Sequence, residues 1–187
     1  MNENEAKKFS VSKMDAAKRQ LDSAIRLWFA DGDPVSIHTL VGAAYQIIHD
    51  INKHKERKDL IFDGEFIKDE HRATVRDWLR KDFMFFKHAD RNPDGITEFV
   101  PLGNLMFMLC GIQTLRDLGE RTSDVQNIFS IYMAFTKPEY ISAKVVATLK
   151  ASTPRDYSAT ILNVGKDEFL KMSLEACGIL RSQGKID

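Results

Sequence analysis

The histidines at 38, 49, 54, 71 and 88 are the side chains best suited to proton transfer near neutral pH. Two of them share a face with a tyrosine. His38, Tyr45 and His49 are spaced i, i+7, i+11, which on a helix puts them within roughly 40° of one another. They lie about 110° from the centre of the apolar stripe on the same helix. That is a flank, where a helix meets a neighbour or a cleft. The chemistry on offer is a polar pocket with histidine as acid, base or ligand. A boundary row making ordinary hydrogen bonds accounts for the same spacing.

A second row is cationic. Arg72, Arg76 and Arg80 are spaced i, i+4, i+8, with Lys87 close to the same face. Like charges on one ridge repel unless something neutralises them. Asp69 and Asp77 stand close enough in sequence to do so. Arginine forks suit a phosphate or carboxylate, so the row reads as an anion clamp or as a solvated face with local ion pairs.

The third candidate is the loop FKHADRNPDGITEF. Asp90, Asn92, Asp94 and Gly95 match positions 1, 3, 5 and 6 of a calcium-binding EF-hand loop. Position 12 should be a bidentate glutamate, and it is Pro101. An Asx/Pro turn explains the composition equally well, so no metal is expected. His88, beside this loop, is the better functional candidate.

Other chemistries find no support. The chain has no E-x-x-H pair for a bundle-core di-iron site, no H-E-x-x-H and no C-x-x-C. It has no G-x-G-x-x-G, Walker loop or G-x-S-x-G elbow either. No cofactor is expected. Cys110 and Cys177 sit among apolar residues and read as reduced, buried thiols.

These residues need elements to hold them. Apolar spacing and caps predict helices over 12–30, 34–52, 69–88, 102–118, 138–150 and 165–181, and a further one to 136 capped by Thr122 or Ser123. Residues 1–11 read as a frayed terminus and 12–187 as one helical domain, with 119–187 a possible extension of a core over 12–118. Residues 159–164 fit a short strand or extended chain. The expectation is an all-α bundle of about six to seven helices.

Charge bounds the partners. With 27 basic and 27 acidic side chains the formal net charge is zero, and both signs are interleaved along the chain. General nucleic-acid binding needs a basic excess and is not expected. The N-terminal segment lacks the apolar core of a secretory signal, and no run approaches the roughly 20 apolar residues of a membrane span. A cytoplasmic location is expected.

The segment from Ala16 to Ile51 resembles the opening hairpin of HEPN-type helical domains. Ala17, Leu21 and Ala24 match the A-x-x-x-L-x-x-A character of the first helix. Asp31-Gly32-Asp33 matches the turn, and Ala43-Ala44 the small-residue step of the second helix. Many HEPN ribonucleases carry R-x(4–6)-H, whose Arg and His act on the RNA phosphodiester. No histidine here has an arginine five to seven residues before it. The resemblance therefore implies a binding or interaction role rather than RNA cleavage.

The leading expectation is a non-catalytic helical interaction protein, homodimeric through apolar surface at Trp28, Phe86 and Met106–Met108. A second reading is an enzyme or binding protein for a small anionic ligand. It needs His38, Tyr45, His49, Arg80 and His88 to converge between the second and third helices. A third is an RNA-binding regulator using the arginine row.

Overall fold

Ser12 and Asp15 set where the first helix begins. The Ser12 hydroxyl accepts from the Asp15 amide at 3.0 Å, and the Asp15 carboxylate reaches back to the Ser12 amide. This reciprocal cap satisfies two amides that a helix start leaves open. Helix α1 spans Lys13–Phe29 and buries Ala17, Leu21, Ala24, Ile25 and Phe29. Asp31 takes a left-handed backbone, φ 52°, and reverses the chain. Asp33 then caps α2, Pro34–His54, accepting from the Ser36 amide at 2.7 Å.

The computed structural model describes residues 8–55, 80–90, 92–153 and 155–186. Among these the third helix, α3, runs over 80–87. Helix α4, Leu102–Asp117, is buried on most of its circumference and lies against α2. Gly119 closes it with φ 75°, while the Glu120 amide bonds the Leu115 carbonyl at 2.9 Å, the pattern expected of a glycine just past a helix end. Ser123 and Gln126 form a second reciprocal cap for α5, Asp124–Thr136.

The C-terminal third departs from the sequence reading in two places. Pro138 opens only a 3-10 turn, Pro138–Tyr140. The helix proper, α6, is Ala143–Ala151, capped by Ser142. Residues 159–164 are not a strand: they belong to α7, Arg155–Asn163, and its last turn. The alternatives differ in how they bury the chain. Tyr157, Ile161 and Val164 recur at helical spacing, and all three pack toward the core. Helix α8, Lys166–Ser182, follows. The described residues are all-helical, without a strand, and hold eight α-helices where six to seven are expected.

The core joins both ends of the chain. Leu21 and Phe29 of α1, Phe129 and Met133 of α5, and Phe169 of α8 lie in one buried cluster. One aromatic nest belongs to it and a second lies beside it. In one, Trp28, Phe29, Phe129, Tyr132 and Phe169 pack largely edge to face. The other surrounds His38. Among the described residues no helix is long and apolar enough to cross a membrane.

Candidate functional site

His38 lies in the second turn of α2 and is only 3% exposed. Phe86 of α3, Phe99 of the segment before α4, and Phe107 of α4 surround it, with centroid separations of 5.8, 5.0 and 5.6 Å. Its one hydrogen bond crosses to α4, where Nδ1 meets Asn104 Oδ1 at 2.7 Å. The Asn104 amide nitrogen donates to the Pro34 carbonyl at 3.0 Å. With Oδ1 as the acceptor, the proton must sit on Nδ1. Nε2 is then a lone pair, buried and without a hydrogen-bond partner among the described residues.

This geometry sets the charge of the ring. Burial pushes the His38 imidazole below the ordinary histidine range, against the opposing pull of the Asn104 bond and the Asp82 carboxylate. His38 is therefore neutral at pH 7. It links α2 to α4, the neighbour-facing position that its spacing allows, and its exposure of 3% leaves little access to solvent. Tyr45 is buried as well, at 2% exposure, with its ring 5.3 Å from Phe107. Both are covered because α2 packs on more than one side: α1 and α4 lie against it, α4 brings Phe107 to both rings, and Phe86 of α3 closes over His38.

His49 and Arg80 take part in a surface chain instead. Arg80 donates to Gln46 Oε1 at 3.2 Å, and Gln46 donates to Asp50 Oδ1 at 2.9 Å. His49 Nδ1 approaches the same Asp50 oxygen at 3.3 Å. Arg72 and Arg76 lie outside the described residues, so the arginine row is seen only at its last member.

His88 leaves this group altogether. Phe83 and Phe86 turn one face of α3 toward α2, against Gly42 and His38. Lys81, Met84, Phe85 and His88 line the opposite face and border an open cleft of about 380 Å³, together with Asp90 and Asn92. His38 and His88 thus stand on opposite sides of α3. Of the five residues expected to converge between the second and third helices, only His88 lines this cleft among the described residues.

Asp90, Asn92 and Asp94 lie in an exposed turn. The Asn92 carbonyl accepts from the Gly95 amide at 3.2 Å, and the Asn92 side-chain amide folds over Gly95. Among the described residues no three His, Cys, Asp or Glu side chains are grouped to hold a metal. Cys110 and Cys177 are unpaired and partly buried. Burial pushes the Cys110 thiol up to about 12, far from the range of a reactive thiolate.

The expected subunit surface is also redistributed. Met108 is fully buried. Trp28 is packed among Phe29, Phe129 and Tyr132 beneath the Lys166 ammonium, and Phe86 is engaged by His38 and Phe99. Trp28, Phe86 and Met106 are half-buried, so each is engaged within the chain and keeps part of its surface. Asn104 and Phe99 were not anticipated. The one signal for Asn104 was a polar residue inside the apolar run from Leu102 to Ile112.

Comparison of the chain with protein-family models, with curated proteins and with solved structures finds no match.

Proposed function

We propose that this chain is a non-catalytic, cytoplasmic interaction protein that works as a homodimer, with α8 as the contact. One observation carries the reading. The stripe Phe169, Ser173, Ala176, Leu180 begins inside the core and ends outside it. Phe169 and Ser173 are buried, whereas Ala176 and Leu180 are exposed, and Met172 and Ile179 beside them are 43% and 57% exposed.

The exposed half is not a frayed end. Arg181 Nη2 donates to both Asp124 carboxylate oxygens at 3.0 Å, which ties this end of α8 to the start of α5. The result is an apolar ridge without cover among the described residues, the kind of surface that marks an interface. The ridge complements itself. Ala176 is small and central, with Met172 and Leu180 one turn away on either side. An antiparallel second copy therefore sets Met172 against Leu180 of that copy, the self-matching arrangement of a two-fold contact.

Glu175 flanks the centre and meets its own copy there, so salt strengthens this dimer. A single-helix ridge falls below the roughly 800 Å² per partner of a standard interface. The dimer should therefore dissociate at roughly micromolar concentrations. The absence of a spaced Arg–His pair before any histidine agrees with a role in interaction, as the hairpin's HEPN resemblance implies. Size-exclusion chromatography with light scattering tests the proposal. A mass rising toward twice 21.4 kDa with concentration supports it, and a monomer at every concentration removes it.

A further inference from the structure

The cleft on the outer face of α3 is built rather than incidental. Its floor is one helical face, Lys81, Met84, Phe85 and His88, spaced i, i+3, i+4, i+7. Its wall is the turn at 92–95, and two contacts hold that wall against α3. Gly95 lies so close to Phe85 that an added Cβ would stand 3.0 Å from its ring. Two residues on, the Thr97 hydroxyl donates to the Asp82 carboxylate at 3.2 Å. The volume, about 380 Å³, is in the lower part of the 300–1,000 Å³ range of small-molecule sites.

The two ends of the cleft differ in charge. Among the described residues none holds Lys81 in an ion pair, so its ammonium is available to an anion. At the other end, Asp90 Oδ1 stands 3.9 Å from His88 Nδ1. The carboxylate there rejects a second anion and accepts a hydrogen bond. Between them Met84 and Phe85 offer a polarisable thioether and an aromatic ring. Seven residues of helix separate the ends by about 10 Å.

We propose that this cleft binds a small aromatic carboxylate that carries a hydroxyl at its far end. The carboxylate pairs with Lys81, the ring lies over Met84 and Phe85, and the hydroxyl donates to Asp90 beside His88. The site goes beyond self-association and uses none of α8.

The experiment is an NMR titration of the isotope-labelled full chain with three probes: hydroxyphenylpropionate, phenylpropionate and propylphenol. The first should shift amides within 81–95 and saturate at roughly millimolar concentration. Phenylpropionate lacks the hydroxyl and propylphenol lacks the carboxylate; each should bind about three- to fivefold more weakly. Lys81→Met, at an exposed position, should weaken hydroxyphenylpropionate to the level of propylphenol and leave propylphenol unchanged. Gly95→Ala should weaken all three probes by displacing the wall. Shifts scattered over the surface, failure to saturate, or equal binding by Lys81→Met would overturn the assignment.

Discussion

Truncating Asn104 to alanine leaves the His38 Nδ1–H without its acceptor among three phenylalanine rings. A buried donor left unmade costs about 1–3 kcal/mol, which urea unfolding of Asn104→Ala should show. Replacing both partners, His38→Phe with Asn104→Leu, removes the polar groups together and should cost less than the two single changes combined. Strict additivity would mean that the pair is not coupled. The same ring makes stability depend on pH. Its folded pKa lies below the unfolded value, so the unfolded chain binds the extra proton. Stability should therefore be complete above the unfolded imidazole value and fall as pH drops through it toward the folded one. His38→Phe should flatten that slope in melting curves between about pH 7 and pH 5. The spacing of His38 and Tyr45 placed them correctly on one side of α2. Their burial was not readable, because a helical wheel shows one helix's own stripe and not the second neighbour that covers its flank.

Two glycines at the level of helix packing give opposite expectations. A Cβ on Gly42 of α2 would stand 2.3 Å from the Phe83 ring of α3, which fills the interface and cannot simply swing aside. Gly42→Ala should destabilise the chain by about 1–3 kcal/mol, the usual cost of overpacking. In α4, a Cβ on Gly111 meets its nearest neighbour, Leu21 Cδ2, at an ordinary 3.5 Å. Gly111→Ala should stabilise by about 0.5–1 kcal/mol, since glycine is a poor helix former. Thermal melts of the two variants should move in opposite directions. The helices that were legible carry local signals: Ser12 with Asp15, Asp33 with Pro34, Ser123 with Gln126, and Gly119. Those misread lack them. Lys137 and Ile141 break the helix that Pro138 seemed to open, with φ values of −142° and −126°. The run Thr160–Val164 is β-branched enough to resemble a strand, yet tertiary packing of Tyr157 and Ile161 decides for a helix.

For the whole molecule, the balanced charge separates two kinds of anion recognition. Broad polyanion binding needs a basic surface, which interleaved acids and bases do not supply. A single lysine at the edge of a cleft is compatible with a net charge of zero. The apolar balance was less legible. Composition counts large side chains without saying which are covered: Met108 is core, Trp28 is half-buried against it, and Met172 and Ile179 are exposed. The α8 ridge emerged only when its stripe could be followed from Phe169 in the interior to Leu180 outside. Self-association through that ridge is the central claim. Sedimentation velocity across a concentration series, comparing the native chain with Ile179→Glu, tests it most directly. The native chain should shift toward dimer as concentration rises, and more so in higher salt. Ile179→Glu should stay monomeric with an unchanged melting temperature. A native dimer that Ile179→Glu leaves intact, or a native chain that is monomeric throughout, would contradict the account.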